Sequence, residues 1–330
     1  MRGAAKAGRS GFRCLILGLA AASLHAGVSL ADTWPSKPLR AVVPFSAGSA
    51  TDIIARAVFD QVSTQIGQPV VIENRVGAGG TIGAAAVAKA EPDGYTILVH
   101  SSSHTVSAVT YTNLTYDTAK DLPPIIPLGN LPNVLIAASS KGYKSVKDLV
   151  AAAKANPGKM NYASAGPGSA AHLNAERFKL SAKFDAVHVP FKGAPEAMRE
   201  IVAGRVDFYF CPILPALPLI KESQLSALAV SGSKRASALP DVPTTTEAGY
   251  ANSEYNFWIG VFATGGTPPA IMRRLHDEVA KALQNPVVKE RLARLGAEPM
   301  PMTTDQFRAY VKKEIESSAA LVKAAGIQVN

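Results

Sequence analysis

Cysteine is nearly absent from this 330-residue chain, which has only Cys14 and Cys211. Two thiols so far apart give no disulfide framework, no Cys-x-x-Cys redox pair and no cysteine-rich zinc site. Long hydrophobic runs are missing too. The run Cys14 to Leu24 is too short to span a bilayer, and the apolar stretch Cys211 to Ile220 is broken by Pro212, Pro215 and Pro218. There is no block of one charge. The 34 basic and 25 acidic residues give +9, but Arg2, Lys6, Arg9 and Arg13 all precede the first acid, Asp32. The modest excess that remains is interleaved with acids, which excludes the basic stripe of a nucleic-acid binder. No Gly-x-Ser-x-Gly elbow or Walker loop occurs. Gly77-Ala78-Gly79-Gly80-Thr81-Ile82 begins like a dinucleotide fingerprint, but Ile82 stands where that fingerprint requires glycine or alanine. Those glycines read as a tight turn with close helix packing, so no cofactor is expected.

What is present is a globular composition, 47% hydrophobic and 18% charged, enough for two ordinary domains. The first 31 residues read as a signal peptide: a basic start ending at Arg13, a short apolar run, and the small residues Ser29-Leu30-Ala31 before the cut. The product is expected to be soluble and periplasmic. It would carry one thiol, Cys211, best treated on its own as a small buried hydrophobe.

Beyond that leader, short β-rich runs alternate with helical patterns, the mark of βα units on parallel sheets. Strand Leu39 to Val43 is followed by a helix from about Asp52 to Ile66, strand Val70 to Glu73, helix Thr81 to Ala90 and strand Tyr95 to His100. The proline-rich, then apolar segment Leu122 to Ser139 reads as a crossing into a second half. There helix Val146 to Ala155, strand Lys159 to Ala163, a helix from Ser169, strand Ala186 to Phe191, a helix with Pro195 in its first turn, and strands Val206 to Phe210 and Leu225 to Val230 restart the pattern. Tyr255 to Ala263 reads as the return crossing. Helices near Pro269, Pro286 and Asp305 close the chain. The expected architecture is α/β, two Rossmann-like lobes joined by two crossing strands. Lobe 1 would be 32–131 plus 255–330 and lobe 2 132–254, with a ligand cleft beyond the carboxyl ends of the strands.

Two loops could bind an anion. Phe45-Ser46-Ala47-Gly48-Ser49-Ala50-Thr51-Asp52 precedes one helix, and Ser164-Ala165-Gly166-Pro167-Gly168-Ser169-Ala170-Ala171-His172 precedes another. In each, small side chains let a ligand approach the free amides of the first helical turn. The plainer reading, that Thr51 or Asp52 only caps its helix and the glycines only serve the turn, stays open. The run His100-Ser101-Ser102-Ser103-His104 ends a strand with hydrogen-bonding side chains. No third ligand accompanies the two histidines, so no metal is expected. Lys192 could offer charge to an acidic ligand or simply be a solvated loop lysine. A rival reading, an exported hydrolase using Ser102 with His104 or His172, lacks an identifiable carboxylate to orient the histidine.

These residues carry a resemblance. The chain resembles the periplasmic receptors of the tripartite tricarboxylate transporter system, the Bug family of extracytoplasmic solute receptors. The marks run in order from Trp34-Pro35 through Thr51-Asp52, Glu73-Asn74-Arg75, Asp93-Gly94-Tyr95-Thr96, Asn156-Pro157-Gly158-Lys159, Gly168-Ser169-Ala170-Ala171-His172-Leu173, Val189-Pro190-Phe191-Lys192-Gly193 and Gly204-Arg205-Val206-Asp207 to Leu239-Pro240-Asp241-Val242-Pro243-Thr244. The resemblance implies a type II periplasmic-binding-protein fold, capture of a small organic carboxylate without catalysis, and delivery to membrane transporter subunits. A receptor that presents its ligand to a membrane sensor is the alternative. A monomer is expected. It further implies ligand contacts at Phe45, Gly48, Thr51, Asp52, Ser102, His104, Ser164, Gly166, Gly168, Ser169, His172, Lys192 and Gly193; Ser46, Ser49 and Cys211 complete the candidate ligand-binding set. The chain departs from the family pattern at Ser49, at Ser107-Ala108 and at Cys211-Pro212, where the family commonly has a polar pair. That last change implies a less polar wall, suited to a monocarboxylate or an aromatic acid.

Overall fold

The computed structural model describes residues 34–327, so the expected signal peptide lies outside the described residues. The chain builds two five-stranded mixed sheets. The first holds β1 (Leu39–Val43), β2 (Val70–Asn74), β3 (Thr96–Ser101), β4 (Pro124–Leu131) and β10 (Phe257–Ala263), in the order β2-β1-β3-β10-β4. The second holds β5 (Asn133–Ala138), β6 (Asn161–Ser164), β7 (Val187–Pro190), β8 (Phe208–Pro212) and β9 (Leu225–Val230), in the order β7-β6-β8-β5-β9. In each sheet the parallel trio comes from βα units, whereas the antiparallel strand, β10 or β5, arrives from the other sheet. The first crossing is abrupt, since only Pro132 separates β4 from β5.

The helices are α1 (Ala50–Ile66), α2 (Thr81–Ala88), α3 (Ser103–Thr110), α4 (Val146–Ala155), α5 (Ala170–Ala182), α6 (Ala194–Val202), α7 (Ile213–Lys221), α8 (Pro269–Gln284), α9 (Pro286–Arg294) and α10 (Thr304–Ala325). Their ends follow the local chemistry. Ser49 caps α1 by accepting from the Asp52 amide, Asp52 places a negative charge in the first turn, and Gly67 ends the helix in the left-handed region at φ 66°. Ser169 caps α5 by accepting from the His172 amide. A reciprocal Thr303 and Gln306 capping box starts α10.

Two helices escape the sequence reading. The α3 segment, read as a strand end and its loop, is Ser-His-Thr-Val-Ser-Ala-Val-Thr, poor in intrinsic helix formers. It stays helical because it is buried and because Ser107 and Thr110 return their hydroxyls to the carbonyls of His104 and Val106. In α7, the three prolines prove compatible with a short helix. Pro212 precedes it, Pro215 lies in its first turn where no acceptor is needed, and Pro218 gives up one bond.

Each sheet is covered on both faces, so the core has two layers per half. β10 shows how: Phe257, Ile259, Val261 and Ala263 join the cluster under α1, α8 and α9, while Trp258 and Phe262 face Phe307 of α10. In β8 the alternation is Tyr209 and Cys211 on one face and Phe208 and Phe210 on the other. No described helix is long and apolar enough to cross a membrane.

Candidate functional site

The strand order aims the carboxyl ends of β1 and β3 in one half toward those of β6 and β8 in the other, and each strand there feeds a helix. The N-termini of α1, α3, α5 and α6 converge on one cavity of about 30 Å³ between the halves. Its walls include Phe45, Ser49, Ala50, Thr51, Ser101, Ser103, Ala165, Ala170, Ala171, Gly193, Ala194, Tyr209, Pro212 and Phe257. Among the described residues the amides of Ala50, Thr51, Ala171 and Ala194 have no acceptor of their own. Free first-turn amides from three of these helices, on a lining of largely buried residues, favour a negative charge.

The two halves touch across this cavity, which is why it is no larger than one water's share of the liquid. Ser46 Oγ donates to Glu196 Oε1 at 2.8 Å, the Ala170 amide donates to Ser103 Oγ at 2.8 Å, and Tyr111 Oη donates to the Pro167 carbonyl at 2.9 Å. Gly79 meets the second loop so closely that a Cβ there would stand 2.2 Å from the Pro167 carbonyl oxygen. A Cβ on Gly193 would come within 3.0–3.2 Å of Ser46. Larger depressions, about 700 Å³ beside Lys179 and Phe184 and about 630 Å³ between α8, α9 and Met300, open on the outer surface and touch neither loop.

The residues expected at the site divide into groups. Phe45, Ser49, Thr51 and Gly193 line the cavity, and Ser46 bridges the halves above it. Asp52 supports the site from behind. Burial would raise its pKa, but hydrogen bonds from Arg56, from the Gly48 amide and from Asn74 prevail and hold the carboxylate below its ordinary range. Its oxygens are thus spent within its own loop, and Gly48 donates there rather than into the cavity.

Ser102 and His104 are fully buried but do not line the cavity. Ser102 lies against the Tyr255 phenol, and His104 packs on Phe262 with ring centroids 4.3 Å apart. His104 is pushed down to about 3, first by burial. Neither of its ring nitrogens has a side-chain partner among the described residues, so nothing arranges it as a base for Ser102. His100 and His104 sit 5.6 Å apart by ring centroid, and no group of three metal-ligating side chains occurs among the described residues.

In the second loop, Ser164 Oγ accepts from the Gly166 amide at 3.0 Å and lies 2.6 Å from His188 Nε2. His172 Nδ1 accepts from the Gly168 amide at 3.2 Å, and its ring stacks on His188 at 4.0 Å. Burial, then Lys179, brings His172 down to about 4. Ser164, Gly166, Gly168, Ser169 and His172 therefore shape the loop and cap α5, while the adjacent Ala165, Ala170 and Ala171 face the cavity. Lys192 is exposed, outside the lining. Cys211 is fully buried, its thiol donating to the Pro212 carbonyl at 3.2 Å, and it does not reach the cavity.

Sequence reasoning missed the polar groups of the β8 wall, Tyr209 and the neighbouring Glu196. Tyr209 is fully buried; among the described residues its hydroxyl has no hydrogen-bond partner, and neither has the buried Glu196 Oε2. Pro212 does line the cavity, as an apolar group, and Tyr209 of the same strand lines it beside Pro212. Period-2 alternation in β8 was the available signal for Tyr209. No short-range signal marked Glu196.

Two α/β halves joined by two crossings, closing helix N-termini around a small buried cavity, define a solute receptor of the periplasmic-binding-protein type. Comparison with known proteins gives the family. The profile of the family described as "Tripartite tricarboxylate transporter family receptor" matches residues 54–327. Protein BugT of Bordetella pertussis is 36% identical over 94% of this chain and 96% of its own length. Among solved structures, Rpa4515 of R. palustris with adipate is 34% identical, covering 89% of this chain and 99% of that one at a TM-score of 0.86. MatC of Rhodopseudomonas palustris with bound malate is 33% identical, covering 88% and 100% at a TM-score of 0.84. The chain belongs to the tripartite tricarboxylate transporter receptor family, of the TctC and Bug type.

Proposed function

We propose that this protein captures a small organic carboxylate in the periplasm, closes its lobes on it, and delivers it to membrane subunits of a tripartite tricarboxylate-type transporter. It acts as a monomer and without catalysis. The lobes are 32–131 plus 255–330 and 132–254, with the ligand between them. The observation that carries this reading is the convergence of four helix N-termini, three of them with unpaired amides, on one interlobe cavity. Solved relatives with adipate and with malate support it. A carboxylate near one helix N-terminus gains about 0.3–1 kcal/mol, and each hydrogen bond from it adds about 1.5–3 kcal/mol. Several together reach the roughly 8 kcal/mol of a micromolar complex.

Thermal denaturation across a panel of organic acids tests the reading. A ligand at about 100 times its dissociation constant adds about 2.7 kcal/mol of stability, several degrees in Tm. Stabilisation by carboxylates and not by their amides is the expected result. A panel in which only uncharged or cationic solutes stabilise would overturn it.

A further inference from the structure

The cavity has two chemically unlike sides. Helix N-termini supply free amides, which suit a carboxylate. The β8 wall instead presents Tyr209, a lining residue whose buried hydroxyl has no partner among the described residues. Glu196 stands in the first turn of α6, whose N-cap Gly193 and first residue Ala194 line the same cavity. One of its oxygens accepts from Ser46, while the other is buried and has no donor. Burial first, then Cys211 and Glu196, drive the Tyr209 phenol upward. An ionised carboxylate only accepts hydrogen bonds, and a phenol donates or accepts. A buried polar atom left unmatched is costly, and a second anion brought next to Glu196 in a largely buried space is costlier still.

We propose that Tyr209 and Glu196 are specificity-determining residues. They select a carboxylate whose second polar group donates hydrogen bonds and carries no negative charge, an amino- or hydroxy-carboxylate rather than a dicarboxylate. Tyr209 and Glu196 together match such a group: the Glu196 oxygen accepts from it, and the Tyr209 hydroxyl satisfies its remaining valence. This rests on carboxylate capture as the function.

Titration calorimetry on length-matched acids tests it: succinate, 4-hydroxybutyrate and 4-aminobutyrate, then adipate, 6-hydroxyhexanoate and 6-aminohexanoate, with butyrate and hexanoate as plain monoacids. The wild-type protein is expected to bind the hydroxy or amino member of a set at least tenfold more tightly than its diacid. In Glu196→Gln that discrimination shrinks at least tenfold. In Tyr209→Phe, which preserves the ring packing, the hydroxy or amino acid loses at least fivefold more affinity than the plain monoacid does. Diacids bound as tightly as their hydroxy or amino counterparts, or a preference that both variants leave intact, would overturn the selection while carboxylate capture stands. Binding of none of the eight acids would overturn carboxylate capture, and the selection with it.

Discussion

Ser46 and Glu196, 150 residues apart in sequence, meet across the cleft at 2.8 Å, so a hydroxyl of one half is fastened to a carboxylate of the other. Hydrogen bonds to charged groups contribute about 1.5–3 kcal/mol. Ser46→Ala is therefore expected to shift the balance between closed and open lobes by roughly 10- to 100-fold toward open. Small-angle scattering of the unliganded variant should show a larger radius of gyration than the wild type; identical curves would refute this role for the bond.

Gly79 limits how closely the halves can approach. Gly79→Ala would put a methyl group 2.2 Å from the Pro167 carbonyl, at a φ of +61° that disfavours any side chain. The lobes should fold but fail to meet, and carboxylate affinity should fall at least tenfold. Gly142→Ala is the control, since its φ is +75° with no atom within 4 Å of the new Cβ. It carries only the backbone strain, roughly 1–2 kcal/mol. Calorimetry on both variants decides the matter, and equal affinities would show that closure does not depend on Gly79.

Acid should weaken the fold through His104. Burial brings this residue from its ordinary 6.5 to about 3. The unfolded chain takes up a proton near pH 6.5 while the folded chain resists until about 3. Its stability contribution is complete above pH 6.5 and is lost as the pH falls between those values. At pH 5 the loss is about 2 kcal/mol from this residue alone. His172 and His188, brought down to about 4 and about 3, act in the same direction. Tm should drop from pH 7 to pH 5, and less steeply in His104→Gln. A Tm that stays level over that range contradicts the assignment.

Cys211 should be chemically silent. Burial raises its thiol pKa well above the usual value, and the group is wholly enclosed. A thiol reagent such as Ellman's should react with the denatured protein and not with the native one. Rapid native labelling would mean that β8 opens far more readily than its packing implies.

Much of the fold was legible because it depends on short-range patterning. Alternation marked β1, β3, β6 and β8, and the apolar stripe with its stop at Gly67 marked α1. The proline-rich stretch before Ser139 resolved into β4 and β5 on either side of Pro132. Helix α3 was illegible, because its serines, threonines and valines favour other conformations in isolation, and only burial makes them helical. The site was legible to the level of the loop and no finer. Ser164, Gly168 and His172 belong to the second loop, which meets the cavity through Ala165, Ala170 and Ala171. Which of its atoms face the cavity depends on how that loop folds back on itself through Ser164, Gly166 and His172.

The sequence alone determined the βα alternation, the capped helices after glycine-rich loops and the family, because each is written within a few neighbouring residues. Tertiary structure decided that four helix mouths share one cavity, that Asp52 braces its own loop, and that Tyr209 of β8 lines that cavity while Glu196 of α6 reaches Ser46 across the cleft. Those outcomes depend on groups from separate parts of the chain, brought together only when two sheets close on each other. Whether a buried polar atom finds a partner there is settled by that closure, and nothing in the local sequence encodes it.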